Sequence, residues 1–249
     1  MIDIFIPVYN EKDNICALLD ELNAKVRSEF SLLVVYDMEE DDTLPVLRRV
    51  MDKYPFPIIL QKNTHGRGAI NAFRTAIDAA QNEYFLYCMA DLADDLATVD
   101  QMRERLDTGY DVVVGSRYMK GGMRNGHCGV KGFLSRSAGV GMRLLTGIPT
   151  HDISNAYRMY RTAVLRQIPI TSEGHGGTIE ILQKIYLAGY AITEVPDVWN
   201  DRVAGKSQFQ MGKWMTTCIY WCLYSIVHRW LCQSPELQRP QLKRGERHE

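Results

Sequence analysis

Three carboxylates, Asp91, Asp94 and Asp95, follow at once on an apolar run, Tyr84 to Met89, with the composition of a buried strand. Clustered carboxylates at a strand end suit a hard divalent cation. Mg2+ or Mn2+ is commonly held by one or two of them, with substrate phosphates completing its shell. In open α/β sheets the carboxyl edge of the strands is also where ligands bind. The same acids could serve a plainer purpose, Asp94 or Asp95 capping a helix expected over Leu96 to Leu106.

The elements that would position this loop are legible on both sides of it. Ile2–Val8, Ser31–Asp37, Pro57–Gln61, Glu83–Met89 and Asp111–Ser116 are short runs rich in Val, Ile, Phe and Tyr. Between the first two, Ile15, Leu18, Leu19, Leu22 and Val26 repeat at helical spacing, and Asn10 with Asp13 has the form of a capping box. A further helix, Arg67 to Gln81, would bury Ile70, Phe73 and Ile77 and begin after Gly66 and Gly68. Strands and helices alternating at this length predict right-handed crossovers and an α/β fold with a mostly parallel central sheet. The second half is less regular. It offers a glycine-rich basic loop (Lys120 to Gly132), a helix near Phe133–Thr146, a strand at Asn155–Tyr160, a helix at Thr178–Ala188 and a strand at Ala191–Pro196.

Bulk properties narrow the function classes. A chain of 249 residues with net charge −1 has no overall basic footprint for nucleic acid. One stretch is locally basic: Arg117, Lys120, Arg124, Lys131, Arg136 and Arg143, with no acid between them. The cysteines at 16, 88, 128, 218, 222 and 232 show no zinc spacing and suit reduced thiols in a cytoplasmic protein. The N-terminus enters a strand without a signal peptide's layout. Trp214 to Cys232 carries three Trp and two Tyr, with Lys213 just before it and Arg229 near its far end. That suits a helix lying in a membrane interface, a peripheral attachment, as well as one packed on the core or on a partner. Residues 1–212 read as the main domain, 213–232 as this aromatic helix, and 233–249 as a polar tail expected to be disordered.

In order, the motifs resemble family-two glycosyltransferases of the GT-A fold, and most closely the dolichyl-phosphate mannosyltransferase-like branch. The stretches that carry the likeness are Ile6-Pro7-Val8-Tyr9-Asn10-Glu11, Val34-Val35-Tyr36-Asp37 with Asp41-Asp42-Thr43, Gly66-Arg67-Gly68-Ala69, Asp91, Gly115-Ser116-Arg117-Tyr118, His151 to Arg158, and Asp201 to Ser207. The resemblance implies a nucleotide-sugar site of Pro7, Tyr9, Glu11, Val35, Asp37, Ala90, Asp91, Arg117, Arg202 and Lys206. Asp91 would hold the Mg2+ or Mn2+, with Asp94 and Asp95 as further ligands. Arg117 and Arg202 would clamp the donor diphosphate. The implied reaction is an inverting displacement onto a polyprenyl or dolichyl phosphate at the cytosolic membrane face. Such an acceptor needs no strong base, since its second pKa is roughly 6. Lys131 and Arg136 would bind its phosphate. A hydroxyl acceptor on a glycan, glycolipid or small molecule would need a carboxylate base, with Asp152 the first candidate and the acids neighbouring Asp91 the second.

The chain departs from the family pattern at several positions. Met89 stands at the first position of the DxD motif, where a thioether is a poor ligand for a hard cation. Ala93 stands two residues beyond Asp91, Tyr36 replaces an acid before Asp37, and Gln208 replaces a lysine. These changes keep open a weakened nucleotide-sugar-binding protein. Glu180 reads as an exposed first-turn acid or a site residue, and the histidines as ordinary loop residues. Donor identity and oligomeric state are not encoded legibly.

Overall fold

The computed structural model describes residues 1–125, 129–200 and 211–230, and most of their side chains. Among the described residues, seven strands form one sheet: β1 (Ile2–Val8), β2 (Phe30–Tyr36), β3 (Ile58–Lys62), β4 (Tyr84–Tyr87), β5 (Val112–Ser116), β7 (Arg158–Arg161) and β8 (Ile192–Pro196). Their spatial order is β3-β2-β1-β4-β7-β5-β8, with β6 (Met123–Arg124) and β9 (Val198–Trp199) paired separately. All pairings in the main sheet are parallel except those of β7, which runs antiparallel to both neighbours. The fold is the expected α/β class.

Alternation along β1 divides the core. Ile2, Ile4, Ile6 and Val8 face one cluster with Ile15, Leu18, Leu19 and Leu22 of α1 (Ile15–Lys25). Phe5 faces the other, stacked on Phe73 of α3 (Ala69–Ala79) with ring centroids 5.7 Å apart. The first cluster also takes residues of α2 (Thr43–Val50) and α4 (Val99–Asp107). The second takes residues of α5 (Gly129–Thr146), the short α6 (Thr162–Leu165), α7 (Gly177–Leu187) and α8 (Met211–Trp230). Burial on both sheet faces is what the unbroken apolar runs require of parallel strands.

The chain first builds outward from β1 to β2 and β3, then returns to lay β4 on the opposite side of β1. That reversal opens a crevice beyond the carboxyl ends of β1 and β4. Tyr9–Glu11 and Met89–Asp95 lie there.

Several expectations need correction. Asn10 does not cap α1; it sits at φ 55, and its N–H donates to both oxygens of buried Asp41, each at 3.2 Å. The residue before α1 is Asn14, whose amide donates to Glu11 Oε2 at 2.7 Å. The strand expected at Asn155–Tyr160 begins only at Arg158, because residues 152–155 form a turn around the Asp152 carboxylate. Leu96–Thr98 is a 3-10 turn ahead of α4. Glu180 is neither exposed nor in the crevice. It is fully buried, accepts from Thr171 and Ser172 N–H groups, and pairs with Lys184.

Candidate active site

At the donor end, glycine chemistry and one carboxylate fix the geometry. Gly68 ends its loop at φ 109, a conformation that favours glycine, and α3 starts at the next residue. Its N–H donates to Asp37 Oδ2 at 2.9 Å, while Asn63 donates to Oδ1 at 2.8 Å. Asp37 thereby ties the end of β2 to the start of α3. Tyr9 leaves its ring exposed at the rim, Glu11 is half-buried, and Pro7 is half-buried in β1. The Val35 and Ala90 side chains belong to the core on opposite sides of the sheet, so neither presents a side chain to a nucleotide.

The acidic loop turns sharply at Leu92, φ 60, and the Ala93 N–H folds back to Asp91 Oδ1 at 3.3 Å. Asp91 and Asp94 are both buried. Asp95 points elsewhere: it accepts from Ala97 N–H at 3.1 Å as a cap, and lies 3.6 Å from Lys25 Nζ. The capping role foreseen for Asp94 or Asp95 belongs to Asp95, whose carboxylate is thereby drawn away from a shared ion site.

A fourth acid, overlooked in the sequence, joins the loop. Asp197, just after β8, is fully buried; its Oδ1 accepts from Asp95 N–H at 3.1 Å and its Oδ2 from Asn155 Nδ2 at 3.2 Å. Burial, offset in part by the Asp95 N–H and by Arg117, pushes Asp197 up to about 6. Asp94 is pushed well above the carboxylate range by burial and by the charges of Asp197 and Asp91. Asp94 Oδ1 is buried with no hydrogen-bond partner. An all-oxygen set with an orphaned atom and excess negative charge fits a hard divalent cation. Among the described residues, no three such groups converge closely enough to hold an ion unaided. The fit is therefore to one or two carboxylates with substrate oxygens completing the shell.

Arg117 and Asp152 form a buried ion pair. Arg117 Nε donates to Oδ2 at 2.6 Å and Nη2 to Oδ1 at 2.9 Å, with side-chain exposures of 10% and 0%. Despite burial, the guanidinium and the surrounding N–H donors hold Asp152 below the usual carboxylate range. The same pair raises Arg117, against the opposing effect of its own burial. A carboxylate so occupied is a poor general base, which corrects the expectation for Asp152 with a hydroxyl acceptor. Nor does it orient Arg158, which donates to the Ile153 and Thr178 carbonyls. Arg117 spends most of its fork on Asp152 and Ser154, so the diphosphate clamp expected of it is largely engaged already.

The model of the glycosyl transferase family 2 matches residues 3–169. The chain belongs to that family. This transferase is 26% identical over 211 residues to the polyprenol monophosphomannose synthase of Mycolicibacterium smegmatis, covering 82% of the chain and 79% of that protein. It is 27% identical over 214 residues to the dolichol-phosphate mannosyltransferase of Pyrococcus furiosus, covering 84% of the chain but 59% of that protein's length. Its fold resembles the crystal structure of glucosyl-3-phosphoglycerate synthase from Mycobacterium tuberculosis in complex with Mn2+, UDP and glucosyl-3-phosphoglycerate. The TM-score is 0.67 at 16% identity, covering 92% of this chain and 79% of that one. The same synthase has been solved with Mg2+ and UDP. The chain is thus a nucleotide-sugar glycosyltransferase of GT-A-like fold.

Of the remaining site residues named from sequence, Arg202, Lys206 and the Lys131 side chain lie outside the described residues. Arg136 is exposed on α5. His151, read as an ordinary loop residue, is bonded through Nδ1 to Glu194, whose Oε2 accepts from Thr150 Oγ1 and His151 N–H. No sequence signal marks that pair, since the partners are 43 residues apart.

Proposed function

We propose that this transferase moves a sugar, with inversion, from a GDP-mannose-like or UDP-linked donor to a polyprenyl or dolichyl phosphate. The observation that carries the acceptor class is the commitment of Asp152 to Arg117, which leaves the base expected for a hydroxyl acceptor occupied. A phosphate oxygen needs no such base. The names of the two curated relatives support the same class.

In the reaction, an acceptor phosphate oxygen forms the bond to the anomeric carbon as the bond to the donor's diphosphate oxygen breaks. The electron pair leaves with the nucleoside diphosphate. Tyr9, Glu11 and Asp37 bind base and ribose at the ends of β1 and β2. Asp91, with Asp94, would hold a divalent cation, which supplies neutralisation of charge on the leaving diphosphate. By the family resemblance, Arg202 and Lys206 would serve the donor diphosphate, and Lys131 and Arg136 the acceptor phosphate. Arg117 keeps the 152–155 turn in register, which makes the remaining work one of positioning.

A surface suited to a lipid acceptor lies on α5 and α8. Val140, Leu144 and Leu145 on the first, and Ile219, Tyr220, Leu223 and Val227 on the second, are exposed. No helix among the described residues is long and apolar enough to cross a membrane. The reading is therefore of a peripheral attachment, with the apolar face in the interface and Arg136 toward anionic headgroups.

The test is transfer from GDP-mannose, UDP-glucose and other nucleotide sugars to a short polyprenyl phosphate, with Mn2+ or Mg2+. Turnover with one donor and a loss of at least 100-fold in Asp91→Ala is expected. No transfer to polyprenyl phosphate by the wild type refutes the acceptor, and undiminished turnover in the variant refutes the role of Asp91.

A further inference from the structure

Met89 leaves this chain short of an oxygen ligand at the end of β4, and the segment after another strand brings a buried acid to the same loop. Asp197 follows Pro196, the last residue of β8. It is held against the acidic loop by its own contacts and its neighbours'. Its Oδ1 accepts from Asp95 N–H at 3.1 Å, and Asn200 N–H donates to the Ala93 carbonyl at 2.8 Å. Asn155 helps to hold Asp197 there, donating through Nδ2 to Asp197 Oδ2 at 3.2 Å.

Two features distinguish this pair from an ordinary acidic patch. Asp94 and Asp197 are 7% and 0% exposed, so solvent does little to screen them from each other. Asp94 Oδ1 is also buried with no donor to receive. The neighbouring guanidinium, Arg117, is already bidentate to Asp152. Buried carboxylates are normally paired, hydrogen-bonded or bound to a metal, and this pair has more negative charge and one more bare oxygen than its protein partners satisfy.

We propose that Asp94 and Asp197 together form the protein half of a divalent-cation site, Asp197 supplying the carboxylate that Met89 cannot. Two carboxylates with substrate phosphate oxygens complete a Mg2+ or Mn2+ shell without a third protein ligand at the same point. The inference rests on the donor diphosphate binding in this crevice, and it amends that reading in one respect, Asp197 taking the place beside Asp94 that was given to Asp91.

Mn2+ titration followed by electron paramagnetic resonance, with and without GDP or UDP, tests it on wild type, Asp94→Asn and Asp197→Asn. Each variant should weaken Mn2+ at least tenfold. Thermal melting gives the second readout. Asp94→Asn places an amide donor beside Asp197, so its metal-free midpoint should rise although its Mn2+-induced shift shrinks. A merely structural acid would not move the two in opposite directions. Wild-type Mn2+ affinity in either variant, a lowered metal-free midpoint in Asp94→Asn, or no Mn2+ binding by the wild type overturns the proposal. Sugar transfer that persists in EDTA overturns it too, while leaving the transferase reading intact.

Discussion

Replacing Asp152 by Asn separates a structural anchor from a catalytic base. In the wild type the carboxylate is fully buried and receives both edges of Arg117 together with the N–H groups of Ser154 and Asn155. Breaking one side of a buried pair costs about 3–5 kcal/mol, because the partner's charge stays behind. Asn keeps one acceptor oxygen, which places the expected loss at the lower end, about 3 kcal/mol. For a chain of this length that is roughly 6–12 °C in Tm. Urea unfolding followed by circular dichroism should show a lower midpoint with an unchanged slope. The pH dependence fixes the sign. Arg117 holds Asp152 below its unfolded value, so its contribution is complete above roughly pH 4 and is lost as pH falls through the lower folded value. The gap between wild type and variant should therefore be flat from about pH 5 to 8 and close below about 4. A variant within 1 kcal/mol of wild type, or a gap that survives at the acid end, refutes the anchor. Turnover lost with stability intact would restore the base.

Asp197 behaves in the opposite sense. Its folded value is raised from 3.8 to about 6, so its contribution is full below the lower value and disappears as pH rises through the upper one. The metal-free wild type, compared with Asp197→Asn, should lose about 3 kcal/mol between those limits, and a flat difference refutes the assignment. Gly115→Ala should cost about 1–3 kcal/mol in urea unfolding, because its Cβ would lie 2.5 Å from the Tyr157 ring, and a neutral effect would mean the ring can yield. Leu144→Asp with Leu223→Asp, both on exposed positions, should abolish flotation with vesicles containing anionic lipid at little cost in Tm. Unchanged flotation removes the α5–α8 face as the anchor.

Where local physics and tertiary structure agree, the sequence was sufficient. The β1 and β2 runs, the buried face of α1 and the glycine-led start of α3 depend on periodicity and on one backbone conformation. All three stand close to where those signals put them. The failures share a different cause. Asn10 looked like a cap because its neighbours suit one, but Asp41, from beyond β2, captures its N–H and bends the turn into the left-handed region. Asp197 and Glu194 carried no local signal, since each acquires its partners only when distant strands are brought to one edge.

The strand that gathers them is β7. Arg158, its first residue, lies opposite Tyr87 near the end of β4 and opposite Val114 near the end of β5. An antiparallel strand starts at the edge where its parallel neighbours finish. Residues 152–157, which precede it, are therefore delivered to the same rim as the segments that follow β4, β5 and β8. That single reversal lets Asp152 meet Arg117, and lets Asn155 donate to Asp197. Were β7 parallel, its leading turn would lie at the opposite rim, and Arg117, Asp94 and Asp197 would face one another without either partner. The uneven charge at this rim, one acid neutralised by a guanidinium and two left in excess, is thus a consequence of topology. It is also the feature that the proposed cation would complete.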